Sequence, residues 1–505
     1  MDQTTSAVQS ESQPQPQSGI VDSPQTHWNS LHSFNEFDIS SPQSNSSLTW
    51  NLDIASLRWL GLLAGDAANE GEFSPDILNW NDTITFQEGG ELSQEGESGP
   101  AVLSPLGISA SVFLPPTSTL SVTGLLPIQK QEWHASIRLL DHEIPIFRRF
   151  TERLALWFDL FDPHNHFASF VPHLAMCNEG LMKAILALGA RHMSLKPAES
   201  GPALDRTVAV QYYYETLRYL QRAMKFESYN RSLELIATAL IVSMYEMIDG
   251  AGNGWERHLK GVFWIQRSRN IGAESLGLEG AGWWAWLRQD VWAAFRENRK
   301  VHSFHKATLM YKDMDQYDLA SRSVYILAQA INYSSEQERN EGENDLQARI
   351  ERARQLFEVL EEWRRHLSVH FNPLPLEKQI AQNSVFRPIW INPPQLGTAI
   401  QMHHFARILL LVHQPAPGGY TELFRRQERI AEGVDTICGI AMLIKDEPST
   451  VSSIQCLFAA GLYTHDQKKR EVIVQMIDEH QARTAWPVKS LSEELRTEWA
   501  ASDAR

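Results

Sequence analysis

From Gln131 onward, apolar residues recur with a helical period. Leu140, Ile144, Phe147, Leu154, Phe158 and Phe161 fall at offsets 0, 4, 7, 14, 18 and 21, one stripe of a 3.6-residue repeat. Pro145 belongs in the first turn of that helix, where a missing N–H costs least. Asn178 is placed to cap a second helix over residues 179–194. Tyr213, Leu217, Leu220 and Met224 mark a third. Residues 233–248 are apolar nearly all round, which predicts a central, fully buried helix. Trp284, Leu287, Val291 and Phe295 form a further stripe, and helices are predicted over 346–367, 397–413, 423–445 and 451–479. Stretches 332–345, 387–397, 413–419 and 446–450 carry the Gly, Pro, Asn and Ser signals of connectors. No segment of strand length alternates with period two after residue 131. The fold class is therefore all-α, a multi-helix bundle or array.

Residues 1–130 break this pattern. They are rich in Ser, Gln, Pro and Gly and hold 15 acids against Arg58 and Lys130, so they carry a net charge of -13 out of -16 for the whole 505-residue chain. Such a segment buries too little apolar surface to offset its ordering entropy and is expected to be disordered. Two stretches depart from it. Residues 33–40 ("SFNEFDIS") and 49–66 ("TWNLDIASLRWLGLLAGD") interleave large apolar residues with acids, the composition of amphipathic activation segments. A solvated tail with one transient helix fits the same composition. The division predicted is thus a 1–130 acidic segment and a 131–495 helical domain.

Composition narrows the function classes. Three cysteines, Cys177, Cys438 and Cys456, lie far apart with no CxxC pair, which argues against a disulfide framework. The longest strongly apolar run, Leu235 to Tyr245, is too short for the ~20 residues of a bilayer span, so no membrane association is expected. No Gly-rich phosphate loop follows a strand, and neither GxSxG nor HExxH occurs. No catalytic residues, no cofactor and no enzymatic activity are predicted.

The densest candidate chemistry is "WFDLFDPHNHF", residues 157–167, where Asp159, Asp162, His164 and His166 could offer oxygen and nitrogen ligands to a metal. The competing reading is architectural: a helix end with polar residues, an Asp-Pro turn, and aromatics anchored in the core. The architectural reading outweighs the metal site, because local acid and histidine clusters outnumber real sites. His403, His404 and His413 do not share the i, i+4 spacing of a helical zinc site and are expected at the surface or at caps. Trp283, Trp284, Trp286 and Trp292 fit core packing better than a ligand cage or a base-stacking platform, which would need a basic groove. The run 467–470 ("QKKR") reads as a solvated helix face before it reads as a nuclear signal. Residues 249–261 ("DGAGNGWERHLKG") read as a connecting loop, with Glu256 or Arg257 opening the next helix.

Several stretches, taken together and in order, resemble the fungal-specific transcription factor domain of the second type, the helical regulatory region found C-terminal to zinc binuclear clusters. They are "LLDHEIPIFRRFTERLALWFDLFDPHNHFASFVPHLAMCNEGLMKAILALGARHMS", "TALIVSMYEMIDGAGNGWERHLKGVFWIQ", "WWAWLRQDVWAAFRENRKV", "FRPIWINPPQLGTAIQMHHFARILLLVHQP" and "ICGIAM", with Ala485, Trp486 and Pro487 near the end. The resemblance implies an all-α regulatory domain of a nuclear protein controlling transcription, often of metabolic or biosynthetic genes. It leaves room for a small-molecule effector and a homodimer. The six-cysteine zinc cluster of such regulators has no counterpart here, and no DNA-binding residue is identified. DNA would then be reached through the transcription machinery or another DNA-binding regulator, unless an upstream exon encodes the cluster. In the family, the 157–167 pattern is a recurring helix end. The alternative function is a small-molecule-binding or metal-dependent helical protein of a metabolic pathway.

Overall fold

The computed structural model describes residues 55–56, 58–63, 136–196, 204–250, 255–303, 305–342, 345–377, 384–415, 418–487 and 489–503. Among them no strand occurs, only an isolated bridge between Leu374 and Trp390. The architecture is all-α. The expectation of a disordered 1–130 segment falls outside the described residues, apart from 55–56 and 58–63, which are helical.

The first half of the domain is built around α5 (Glu179–Leu195). It packs against α6 (Arg206–Ala223), α8 (Leu233–Asp249) and α1 (Glu143–Arg149). Side-chain caps set where these helices begin. Asn178 accepts from Leu181 N at 2.8 Å, Asp205 from Thr207 N at 3.0 Å and Ser232 from Leu235 N at 3.2 Å. Gly250, at φ 62°, ends α8 in the left-handed conformation that glycine adopts freely. As its composition predicts, α8 is buried along almost its whole length. The second half is organised by α14 (Pro394–His413), which touches α11 (Gln316–Ser334), α15 (Gly419–Ala441) and α16 (Glu447–Leu462). Helix α10 (Gly277–Arg296) joins the halves, contacting α8 and α9 (Trp255–Ser268) on one side and α11 on the other. A single hydrophobic core runs through both.

Three expectations fail locally, each for a physical reason. Residues Phe150–Leu154 form a π-helical segment between α1 and α2 (Ala155–Phe158). Its wider turn slips the apolar stripe: Leu140 and Ile144 are 58% and 44% exposed, while Ile146, Phe150 and Leu154 are buried. The span 332–345 is not a connector, because Asn332–Ser334 complete α11 and Glu336–Gly342 form a further helix, α12. The 451–479 span is two helices, α16 and α17 (Gln467–Thr484), because Asp466 caps a new helix by accepting from Lys469 N at 2.9 Å. The 249–261 stretch joins α8 to α9 as expected, with α9 opening at Trp255, one residue before Glu256. Helices α11 and α18 (Leu491–Asp503) are not among the predicted elements, although α11 carries the stripe Ala320, Val324, Leu327 and Ile331.

Candidate functional site

The 157–167 cluster closes on itself. Asp159, 4% exposed, accepts from Phe167 N at 2.9 Å and Ala168 N at 2.8 Å, and so caps the short helix α3 (His166–Ser169) from eight residues upstream. Asp162 accepts from His164 N at 3.0 Å, His166 N at 2.8 Å and His166 Nδ1 at 2.7 Å. Phe158 stacks on Phe167 with ring centroids 4.6 Å apart. Arg288 of α10 donates to the carbonyls of Trp157 at 3.1 Å and Phe158 at 2.5 Å, closing the end of α2. Burial pushes the Asp159 carboxyl up to about 7, against the two backbone donors, and lowers the Arg288 guanidinium to about 10. Among the described residues, no group of three or more His, Cys, Asp or Glu is placed to hold a metal ion. The carboxylate oxygens here serve backbone N–H groups.

Two of the three histidines of α14 are not at the surface, while His413, its last residue, is half-buried at the helix end as expected. His403 is 2% and His404 6% exposed. His403 stacks on Trp363 at 5.0 Å, with Nε2 3.3 Å from the Leu360 carbonyl. Their helix is apolar on nearly every face, so even its polar positions are carried inside. Burial holds the His403 imidazole down to about 4 and that of His404 well below the usual range. Trp283, Trp286 and Trp292 are buried and Trp284 is half-buried against the same core. Trp286 donates to the Leu259 carbonyl at 3.0 Å. In the 467–470 run, Arg470 is buried, pairs with Asp503 at 2.8 Å and lies over Trp499, while Lys469 pairs with Asp435.

A cleft of about 450 Å³ opens where α10, α11, α14 and α16 all end, with α12 and α18 at its rim. Its walls include Phe295, Leu409, Phe458 and Tyr463, and its polar groups include Arg296, Arg299, Arg339, His413, Glu494 and Glu498. Arg296 pairs with Glu494 at 2.6 Å and lies over the Phe458 ring at 4.8 Å. Arg299 is held by buried Asp290 at 2.9 Å and by Glu297 at 2.5 Å. Arg339 keeps its Nε buried without a partner. The carboxylates of Glu494, Glu498, Asp290 and Glu297 already match these cations, and four helix C-termini, each with about half a negative charge, leave the cleft negative. Burial, with Arg339 and Arg349 nearby, holds His413 down to about 4, and burial pushes Tyr463 up to about 12. Both are neutral at pH 7. The cleft can take up a molecule, but it holds no activated nucleophile or poised acid–base pair. No single segment marks it, because its residues come from six helices.

Residues 145–282 match the family model described as fungal specific transcription factor domain. The chain is 23% identical to the curated protein "Transcription activator AMTR1" of Alternaria alternata, over 72% of this chain and 64% of that protein. The chain thus spans under two thirds of that relative's length. No solved structure matches it. The match to this family bears out the expected resemblance, and the family is a regulatory one.

Proposed function

We propose that the chain is a fungal transcriptional regulator whose helical domain receives a signal and whose acidic N-terminal segment acts on the transcription machinery. The match of residues 145–282 carries this reading, since that span runs from α1 into α10 and so takes in the first half of the domain. The likeness to a transcription activator supports it. The place of action is the nucleus. The cleft at the ends of α10, α11, α14 and α16 is the effector site, suited to an amphipathic molecule that carries no negative charge. The metal-dependent alternative has no support in the geometry of Asp159, Asp162, His164 and His166. The test is a full-length fusion to a heterologous DNA-binding domain in a fungal reporter strain. A change in reporter output in either direction supports the reading. A nuclear, well-expressed fusion that leaves the reporter unchanged, even when residues 1–130 are tethered alone, overturns it.

A further inference from the structure

The segment 49–66 reads from sequence as an acidic and hydrophobic activation motif or as a solvated tail with one transient helix, exposed on either reading, yet its described part is inside the protein. Ala55, Trp59, Leu60 and Leu63 are each 2% exposed or less and belong to the main core, whereas Arg58 and Gly61 face outward. Offsets 0, 4, 5 and 8 are one face of a helix, the mode in which an amphipathic helix is read by a groove. The groove is cut for this occupant. Gly261, within α9, has no side chain where the Trp59 ring sits: a Cβ there would lie 2.2 Å from Trp59 Cδ1. Arg58 lies over Trp264, also of α9, at 5.9 Å. A glycine inside a helix is otherwise unfavourable, so it is accounted for by what it admits.

The fit is nonetheless incomplete. Trp59 Nε1 and Ser56 Oγ are buried without any hydrogen-bond partner. Both would regain partners in water, so docking forfeits part of what burial contributes. A docked face with this built-in penalty is poised to exchange.

We propose that residues 55–63 are a clasp held in cis on α9, and that the Trp59, Leu60 and Leu63 face which occupies the Gly261 notch is the same face that contacts the transcription machinery. Docking and activation are then mutually exclusive, and release turns the regulator on. This rests on the proposed transcriptional role, and the test separates the two. In the full-length reporter fusion, Gly261→Val fills the notch and should raise output several-fold, with Gly261→Ala intermediate. Adding Trp59→Ala and Leu63→Ala to Gly261→Val should return output to or below the native level. Hydrogen exchange of the purified full chain should show amides 58–63 protected in the native protein and exposed in both glycine variants, with α5 and α14 unchanged. Gly261→Ala is the arm to read if the valine variant does not fold. If the tethered segment activates but the glycine variants expose 58–63 without raising output, the clasp inference falls and the transcriptional role stands. Protection of 58–63 that survives both substitutions also overturns it. Silence of every arm, the tethered segment included, sinks the transcriptional role itself.

Discussion

Replacing Asp159 distinguishes a structural helix end from a metal site. In Asp159→Ala, the N–H of Phe167 loses its acceptor in a buried setting, while the half-buried N–H of Ala168 keeps the Asn165 carbonyl at 3.1 Å. A buried donor left unmade costs about 1–3 kcal/mol, so the loss should be roughly 1–3 kcal/mol. His164→Ala should change stability by no more than about 0.5 kcal/mol, because the ring is exposed. His166→Ala should fall between them, through its one bond to Asp162. Urea unfolding followed by tryptophan fluorescence gives all three values. The pH dependence adds a sign. Burial raises the Asp159 carboxyl from 3.8 to about 7 in the folded state. Between those values the native state binds the extra proton, so this group's contribution to stability falls as pH rises through that window, by up to about 4 kcal/mol. Asp159→Asn, which cannot ionise, should remove that decline. Equal losses for Asp159→Ala, His164→Ala and His166→Ala, all reversed by added zinc and induced in the native protein by chelator, would refute the capping argument.

Burial holds His192 down to about 3 and His403, His413 and His480 to about 4. The unfolded chain takes up these protons first, so their contribution to stability is lost as pH falls from 6.5 toward 4. Four such groups outweigh the opposite slope of Asp159, and the urea midpoint should drop from pH 7 to pH 5, less steeply in His403→Gln. Asn178→Ala should cost about 1 kcal/mol for the lost cap, plus the loss of the 3.0 Å bond to Tyr219 Oη, read as a lower thermal midpoint with near-unchanged helix signal. Gly189→Ala should destabilise, although alanine normally gains about 1 kcal/mol over glycine inside a helix, because its Cβ would meet the Ile146 carbonyl oxygen at 2.7 Å; a raised thermal midpoint would refute that packing.

The parts of the fold legible in the sequence are those where one element carries its own signal. The central helix α8 and the Asn178 cap were readable because their cause is local. The π segment at Phe150–Leu154 was not, since the stripe Leu140, Ile144, Phe147 is self-consistent until the wider turn shifts it. His403 and His404 were misplaced for a related reason. Spacing correctly denies them a shared ligand, but exposure depends on what surrounds the helix, and α14 is covered by α11, α15 and α16. The cleft at the ends of α10, α11, α14 and α16 is the extreme case, because converging helix ends leave no mark in any one segment.

Segment 49–66 shows how the two kinds of signal combine. Alternating acids and large apolar groups report that a face will be buried, without specifying against what. Gly261 reports a close approach inside α9, again without naming the partner. Only together do they define a contact, in which the Trp59 ring fills the space a Cβ would take. A composition that sequence reading assigns to an outside partner is satisfied first by the chain's own helical domain. An activating partner must therefore outcompete a tethered one, and its affinity for the freed face is reduced by the fraction of time the clasp stays closed.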